Sequence, residues 1–286
     1  MAATAEIEPP PEVTVRVLLE TASVTVRDIR CRGDCKHASP EECAAATELV
    51  FPYRGVYARH VGQSQSIAEA NQALFFNAGE GYRVSHPVTG GDACLSLKID
   101  EEILRELAPK PLLRDGPEVA FEPLRVRIDP QTQALAAMLR HGLIKGAVEP
   151  LEAESLTLAM IGQALGPRSA HAPGGTAGRQ KLADRAKLVL ASDLARRWTL
   201  AEIATEVGGS PVYLTQVFQQ VEGVALYRYQ RRLRLARALD LLADCEDITA
   251  LGLDLGFSSH SHFSAAFKET YGRSPSEFRE AAGLSR

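Results

Sequence analysis

The strongest constraint in this 286-residue chain is an imperfect internal repeat close to its C-terminal end. "LAEIATEVGGSPVYLTQVFQQVEG", residues 200–223, aligns with "ALGLDLGFSSHSHFSAAFKETYG", residues 250–272. Ile203 matches Leu251 and Gly208 matches Gly256, both at an offset of 48. Leu214 matches Phe263, Phe218 matches Phe267 and Gly223 matches Gly272, all at an offset of 49. The second copy therefore carries one extra residue in its turn. Each copy reads as a short helix, a glycine-containing turn and a second helix ending at glycine, which is a helix-turn-helix pattern.

Local signals agree with that reading. Thr199 with Glu202, and Ser274 with Glu277, have capping-box spacing. Ser210 is placed to cap the second helix of the first copy, with Pro211 at its first position. Gly223 and Gly272 suit helix ends. Between the copies, "LYRYQRRLRLARALDLLA", Leu226 to Ala243, follows a helical period, with Arg231, Arg232, Arg234 and Arg237 off the apolar stripe. A helix of about 20 residues spans roughly 30 Å. B-DNA repeats about every 34 Å, so such a strut suits two recognition helices entering successive major-groove segments on one face of the duplex.

The second helices supply the candidate contacts. Phe263 and Phe267 mark the buried side of the second copy; His260, Ser261, Ser264 and Ala265 lie opposite. In the first copy Leu214, Val217 and Phe218 read as core, while Pro211, Val212, Thr215, Gln216 and Gln219 face outward. These nine outward residues are the base-facing candidates: glutamine suits adenine, and valine or alanine suits a thymine methyl. Arg196, Arg197, Ser210, Arg234, Ser259, Lys268, Arg273 and Arg279 are the candidates for phosphate contacts, which position a protein without specifying sequence. His260 and His262 sit at i,i+2 and point to different helix faces, which argues against a metal pair. Trp198 reads as a packing residue beside the Thr199 cap.

Residues 181–284 resemble the double helix-turn-helix domain of the AraC/XylS family of bacterial transcription regulators. The run "ITALGLDLGFSSHSHFSAAFKETYGRSPSEFR" carries the likeness through its Gly-Phe turn, His-Phe-Ser, Ala-Phe-Lys and closing Gly-x-Ser-Pro-x-x-Phe-Arg. The resemblance implies sequence-specific binding of double-stranded promoter DNA and activation through RNA polymerase. Ala265 stands where the family often has arginine, and Val212 where it often has a bulkier or polar anchor, so the expectation at those two points is either weak base reading or reliance on DNA shape.

The rest of the chain divides differently. Val13 to Ile128 reads mostly as strands: "VTVRVLLE", "VTVRDIRC", "ELVFPYRGVYARHV", "ALFFNAG" and "ACLSLKI" are β-branched or aromatic runs punctuated by turn residues. Residues 129–165 read as helices, and "GPRSAHAPGGTAGR" as a flexible linker. The expectation is an α+β two-domain chain: a disordered stretch 1–12, a β-rich domain with helices over 13–165, a linker over 166–180 and an all-helical domain over 181–286. By the same resemblance the β-rich half is a cupin-like barrel that binds a small-molecule or metal effector, with helices 129–165 as the contact of a homodimer. Charge is uneven but mild, with 14 Lys+Arg against 13 Asp+Glu in residues 181–286 and an overall net charge of −4. Net charge alone therefore does not mark a nucleic-acid binder.

The N-terminal half offers further chemistry. Cys31, Cys35 and Cys43 fall within "CRGDCKHASPEEC" together with His37. Three thiols and an imidazole form a ligand set for tetrahedral zinc; the same loop also reads as a redox switch or as unrelated exposed residues. His60 and His86 are a second candidate metal pair, without the close His-x-His spacing such barrels use. Phe51, Tyr53, Phe75, Phe76 and Tyr82 could line a small-molecule pocket, though aromatics are more often core. The alternatives are a metal-dependent cupin enzyme and a DNA-repair regulator with a reactive cysteine. No nucleophile elbow, phosphate loop or paired-carboxylate metal motif supports an enzyme. No apolar run reaches the roughly 18 residues of a membrane span, and no signal peptide is visible, so a cytoplasmic location is expected.

Overall fold

The computed structural model describes residues 13–32, 37–166 and 176–283. The stretch expected to be disordered, 1–12, and most of the expected linker lie outside the described residues. The strands are β1 (Val13–Glu20), β2 (Val24–Cys31), β3 (Glu42–Cys43), β4 (Glu48–Arg54), β5 (Tyr57–Val61), β6 (Ser64–Ala68), β7 (Gln72–Phe76), β8 (Gly81–Ser85), β9 (Asp92–Ile99) and β10 (Arg125–Arg127). The helices are α1 (Glu101–Leu107), α2 (Pro130–Lys145), α3 (Pro150–Ala164), α4 (Ala177–Ser192), α5 (Leu200–Glu206), α6 (Pro211–Glu222), α7 (Leu226–Leu241), α8 (Ile248–Asp254), α9 (His260–Tyr271) and α10 (Pro275–Ala281).

The strands make two antiparallel sheets, one of six strands ordered β1-β2-β9-β4-β7-β10 and one of four ordered β3-β8-β5-β6. Strand β4 shows why both faces are needed. Leu49 and Phe51 point into a core shared with α1, α2 and α3, while Val50 points into the core between the two sheets. Period-2 alternation with apolar residues in both registers makes the strand buried on both sides. Pro52 is tolerated in this central strand because it lies past Val50, where the pairing of β4 with β7 ends.

The N-terminal half is thus β-rich and the C-terminal half all-helical, as expected. Three boundaries differ. Helix α1 interrupts the region read as strands; Asp100 caps it by accepting from the backbone of Glu102 and Ile103. Helix α4 starts at Ala177, inside the stretch read as linker. Helix α7 has 16 residues, so it spans about 24 Å rather than the roughly 30 Å read from the sequence. The five aromatics do not line one pocket, although Phe51 and Tyr53 share a cavity beside α2 and α7. Phe51 and Phe75 pack under the helices, whereas Phe76 and Tyr82 pack between the sheets, because neighbouring residues of a strand face opposite ways.

Helix α2 is the joint of the molecule. Asp129 caps it, Pro130 is its first residue, and Gly146 ends it in the left-handed region. Leu139 packs into the β-domain core while Ala137 packs into a core built from α7, α8, α9 and α10.

Candidate nucleic-acid interface

The repeat reappears as two units with matching element order. Helix α8 begins 48 residues after α5, at Ile248 against Leu200, and α9 begins 49 after α6, at His260 against Pro211. Ser210 caps α6 by accepting from Tyr213 N, and Ser259 caps α9 by accepting from His262 N. Side-chain caps of this kind contribute about 1 kcal/mol each. Leu214, Val217 and Phe218 are buried in the first unit, and Phe263, Ala266 and Phe267 in the second. Phe263 and Phe267 meet edge-on, with centroids 5.8 Å apart. Thr199–Glu202 and Ser274–Glu277 both form complete capping boxes.

Opposite these cores, the outward residues are solvent-facing. Pro211, Val212, Thr215, Gln216 and Gln219 on α6, and His260, Ser261 and Ala265 on α9, are all exposed; Ser264 is half-buried. Val212 is 68 % exposed, an unpartnered apolar tip on an otherwise polar face. His260 is steadied by Thr249 Oγ1 and Ser264 Oγ, each 3.3 Å from a ring nitrogen. His262 instead turns back: its Nδ1 lies 2.9 Å from Ser258 Oγ and its ring packs edge-on against Phe257. Tyr213, 49 % exposed on α6, belongs to the same outward surface and was not among the sequence candidates. Thr215 Oγ1 donates to Pro211 O, so its methyl rather than its hydroxyl hydrogen is available outward.

The cationic candidates separate into two groups. Arg197, Lys268 and Arg273 are exposed, and none of them forms a salt bridge to a described residue within 4 Å. Arg196 is exposed but stacks on Trp198 at 3.9 Å and pairs with Glu202 at 2.8 Å. Trp198 is a packing residue, as expected, and its Nε1 donates to Asp193 O. Arg279 is half-buried and donates to Cys245 O at 3.3 Å. Arg234 corrects the sequence reading. Its guanidinium donates to Leu194 O at 2.6 Å, Arg196 O at 2.9 Å, Gly256 O at 3.1 Å and Ala195 O at 3.2 Å. The side chain is spent on carbonyls that tie the approach to the first unit onto the turn of the second. Gly256, at φ 81°, is needed there because a Cβ would stand 2.3 Å from Ala195 O.

The described members of the cysteine loop, Cys31, His37 and Cys43, do not come together. Cys35 lies outside the described residues. Cys31 is buried at the end of β2, whereas Cys43 is exposed on β3 of the other sheet and His37 is exposed. Among the described residues, Cys31, His37 and Cys43 do not bring their ligand atoms within 4.8 Å of one another. Proximity in sequence was misleading because the chain crosses from one sheet to the other between them. His60 and His86 have different partners: His60 Nε2 lies 2.9 Å from Ser85 Oγ, and His86 Nε2 lies 2.6 Å from Asp92 Oδ2.

Buried charges join the helical units to the β-domain. Asp240 on α7 receives Arg54 of β4 at 2.9 Å and Arg140 of α2 at 2.8 Å, and also pairs with Arg237. Burial pushes its carboxyl up, but the Arg140 and Arg54 charges outweigh that and hold it below the usual carboxylate range. Beside it, His141 Nε2 lies 2.8 Å from Leu239 O, so the ring proton sits on Nε2. Arg140 Nη2, at 3.2 Å, is then a close positive neighbour rather than a donor. Burial and the Arg140 charge lower the imidazole to about 4. A second cluster joins Lys187 of α4 to Glu222 of α6 at 2.5 Å, with Arg127 of β10 3.4 Å from Glu222. The sequence reading missed both clusters. Asp240, a carboxylate on the apolar stripe of α7, was the one visible signal.

Two helix-turn-helix units on one strut, with polar outward faces at the starts of their second helices, define a double helix-turn-helix domain. Known proteins agree for this region. Residues 185–281 match the family described as "Helix-turn-helix domain". The HTH-type transcriptional activator RhaR of Klebsiella pneumoniae is 32 % identical over 103 residues, covering 36 % of this chain and 37 % of that protein. The arabinose operon regulatory protein of Escherichia coli K12 is 35 % identical over 81 residues, 28 % of each chain. A crystal structure of an AraC-type transcriptional regulator from Chromobacterium violaceum is 31 % identical, with a TM-score of 0.36, over 37 % of this chain and 96 % of that one. The matched region thus spans little more than a third of the first relative. Residues 185–281 are a helix-turn-helix domain.

Proposed function

We propose that this chain is a one-component transcription regulator: its C-terminal domain reads double-stranded promoter DNA, and its β-rich domain responds to an effector. The observation that carries the reading is the pair of capped second helices, α6 and α9, held by one strut with polar faces turned mostly to solvent. Helix N-termini bring unsatisfied backbone N–H groups and positive dipole ends toward phosphate. Gln216, Gln219 and Thr215 in one unit, and His260, Ser261 and Ser264 in the other, are the residues placed to read base edges. Arg197, Lys268 and Arg273 position the domain on the backbone.

The Asp240 and Glu222 clusters connect the two halves, so a ligand or partner that differs in affinity between two arrangements of α2 against α7 would shift the DNA-competent population. Homodimerisation and contact with RNA polymerase complete this reading, together with a cytoplasmic location. No helix among the described residues is long and apolar enough to cross a membrane. The test is selection of duplexes from a random library by the full-length protein, followed by titration of the selected duplex. Enrichment of one sequence supports the reading. Binding indifferent to sequence, or absent, overturns it.

A further inference from the structure

The N-terminal domain brings together three side chains that the DNA-reading proposal does not use. Cys31 ends β2 and Asp92 begins β9, and the two are direct cross-strand partners. Their side chains therefore share one face of the six-stranded sheet. His86 follows β8 of the four-stranded sheet, and its Nε2 lies 2.6 Å from Asp92 Oδ2. One ligand atom from each of the three falls within 4.8 Å of the others, and all three residues are more than nine-tenths buried.

Two features set this cluster apart from an ordinary buried ion pair. His86 Nδ1 and Asp92 Oδ2 are both buried without a hydrogen-bond partner, so the 2.6 Å approach lacks hydrogen-bond alignment. Buried polar atoms are rarely left so. The loop is also built to reach this point. Gly91, at φ 67°, packs so tightly that a Cβ would stand 2.2 Å from Cys31 O, and a Cβ on Gly55 would stand 2.1 Å from Gly91 O. Two glycines thus let Asp92 close onto Cys31.

We propose that Cys31, His86 and Asp92 form a zinc site that staples the two sheets together. A thiolate, an imidazole and a carboxylate match the donor preference of Zn²⁺, and a thiolate selects against Mg²⁺ and Ca²⁺. The charges close: one thiolate, one carboxylate and a neutral imidazole balance a divalent ion, which removes the cost of burying a net charge. Binding displaces the Cys31 thiol proton to solvent. Three protein ligands leave the fourth tetrahedral position to water.

The experiment is metal analysis of the reduced full-length protein by native mass spectrometry, with Co²⁺ titration of the chelator-treated protein. The proposal expects about one zinc per chain and a thiolate-to-cobalt charge-transfer absorption. Cys31→Ser abolishes the band, His86→Gln and Asp92→Asn weaken binding at least tenfold, and exposed Cys43→Ser leaves it unchanged. Zn²⁺ alone raises the melting temperature of the chelator-treated protein. Circular dichroism confirms which variants remain folded, and the conservative His86→Gln reports if Cys31→Ser does not. A folded wild-type protein with no retained metal and no band, or a band that survives Cys31→Ser, overturns the proposal. Neither result depends on DNA binding.

Discussion

Arg140 Nη2 meets Asp240 Oδ1 at 2.8 Å across the boundary between the two halves of the chain, with both side chains almost wholly removed from solvent. Asp240 also holds Arg54 and Arg237, so three guanidinium groups share one carboxylate. Removing one partner of a buried pair leaves uncompensated charge and costs about 3–5 kcal/mol. Asp240→Asn is expected to lower the thermal unfolding midpoint by an amount of that order. The carboxyl is held below its usual range, so its stabilisation is complete above about pH 4 and is lost as pH falls further. The variant should therefore show a flatter acid limb than the parent in midpoint-against-pH measurements.

His141 gives a second handle on pH, acting in the same direction but in a higher window. Its folded-state value of about 4 lies below the ordinary imidazole value, so the folded protein keeps it neutral. Between pH 6.5 and 4 the unfolded chain takes up a proton that the folded chain refuses. Stability falls as pH drops through that window. His141→Gln can still donate to Leu239 O and does not titrate, so its unfolding midpoint should vary less over the same range.

Arg234 and Arg273 should separate cleanly. Arg273→Ala is expected to reduce the slope of log K against log salt by about one unit, since each phosphate contact releases counterions. Arg234→Ala removes four bonds to carbonyls and should lower the unfolding midpoint. At temperatures where both proteins are folded, its salt slope should match the parent. A reduced slope would return Arg234 to the phosphate contacts.

Gly256→Ala probes the same joint from the backbone. At φ 81°, with Ala195 O only 2.3 Å from the new Cβ, the turn cannot accept a side chain without moving. The expected cost is about 1–3 kcal/mol, read by chemical unfolding. Gly62→Ala, also at positive φ but facing open space, should cost less.

The helical domain was legible because its punctuation is local. Glycine, proline and capping residues mark each helix end within a few positions, and the offsets of 48 and 49 survive unchanged in α5 to α8 and α6 to α9. The outward faces followed from periodicity alone. What escaped depends on contacts far apart in sequence. Asp240 finds Arg54 and Arg140 only because β4 and α2 fold against α7. Arg234 looks like a surface cation until its carbonyl partners, 22 to 40 positions away, are in place. Cys31 looked like a member of a cysteine loop, but strand pairing gives it Asp92 instead. Helix α1 did carry a visible signal, the Asp100 cap ahead of Glu101 and Glu102, which the surrounding strands masked.

The central claim is that α6 and α9 read two segments of one duplex. The most direct measurement is a hydroxyl-radical footprint of full-length protein on a library-selected duplex, paired with Gln216→Ala. The account predicts two protected segments on one face of the DNA, roughly 10 base pairs apart centre to centre. It also predicts a loss of about 1–3 kcal/mol of sequence discrimination in one segment only for the variant. A single protected segment, or a footprint and preference that Gln216→Ala leaves unchanged, would contradict it.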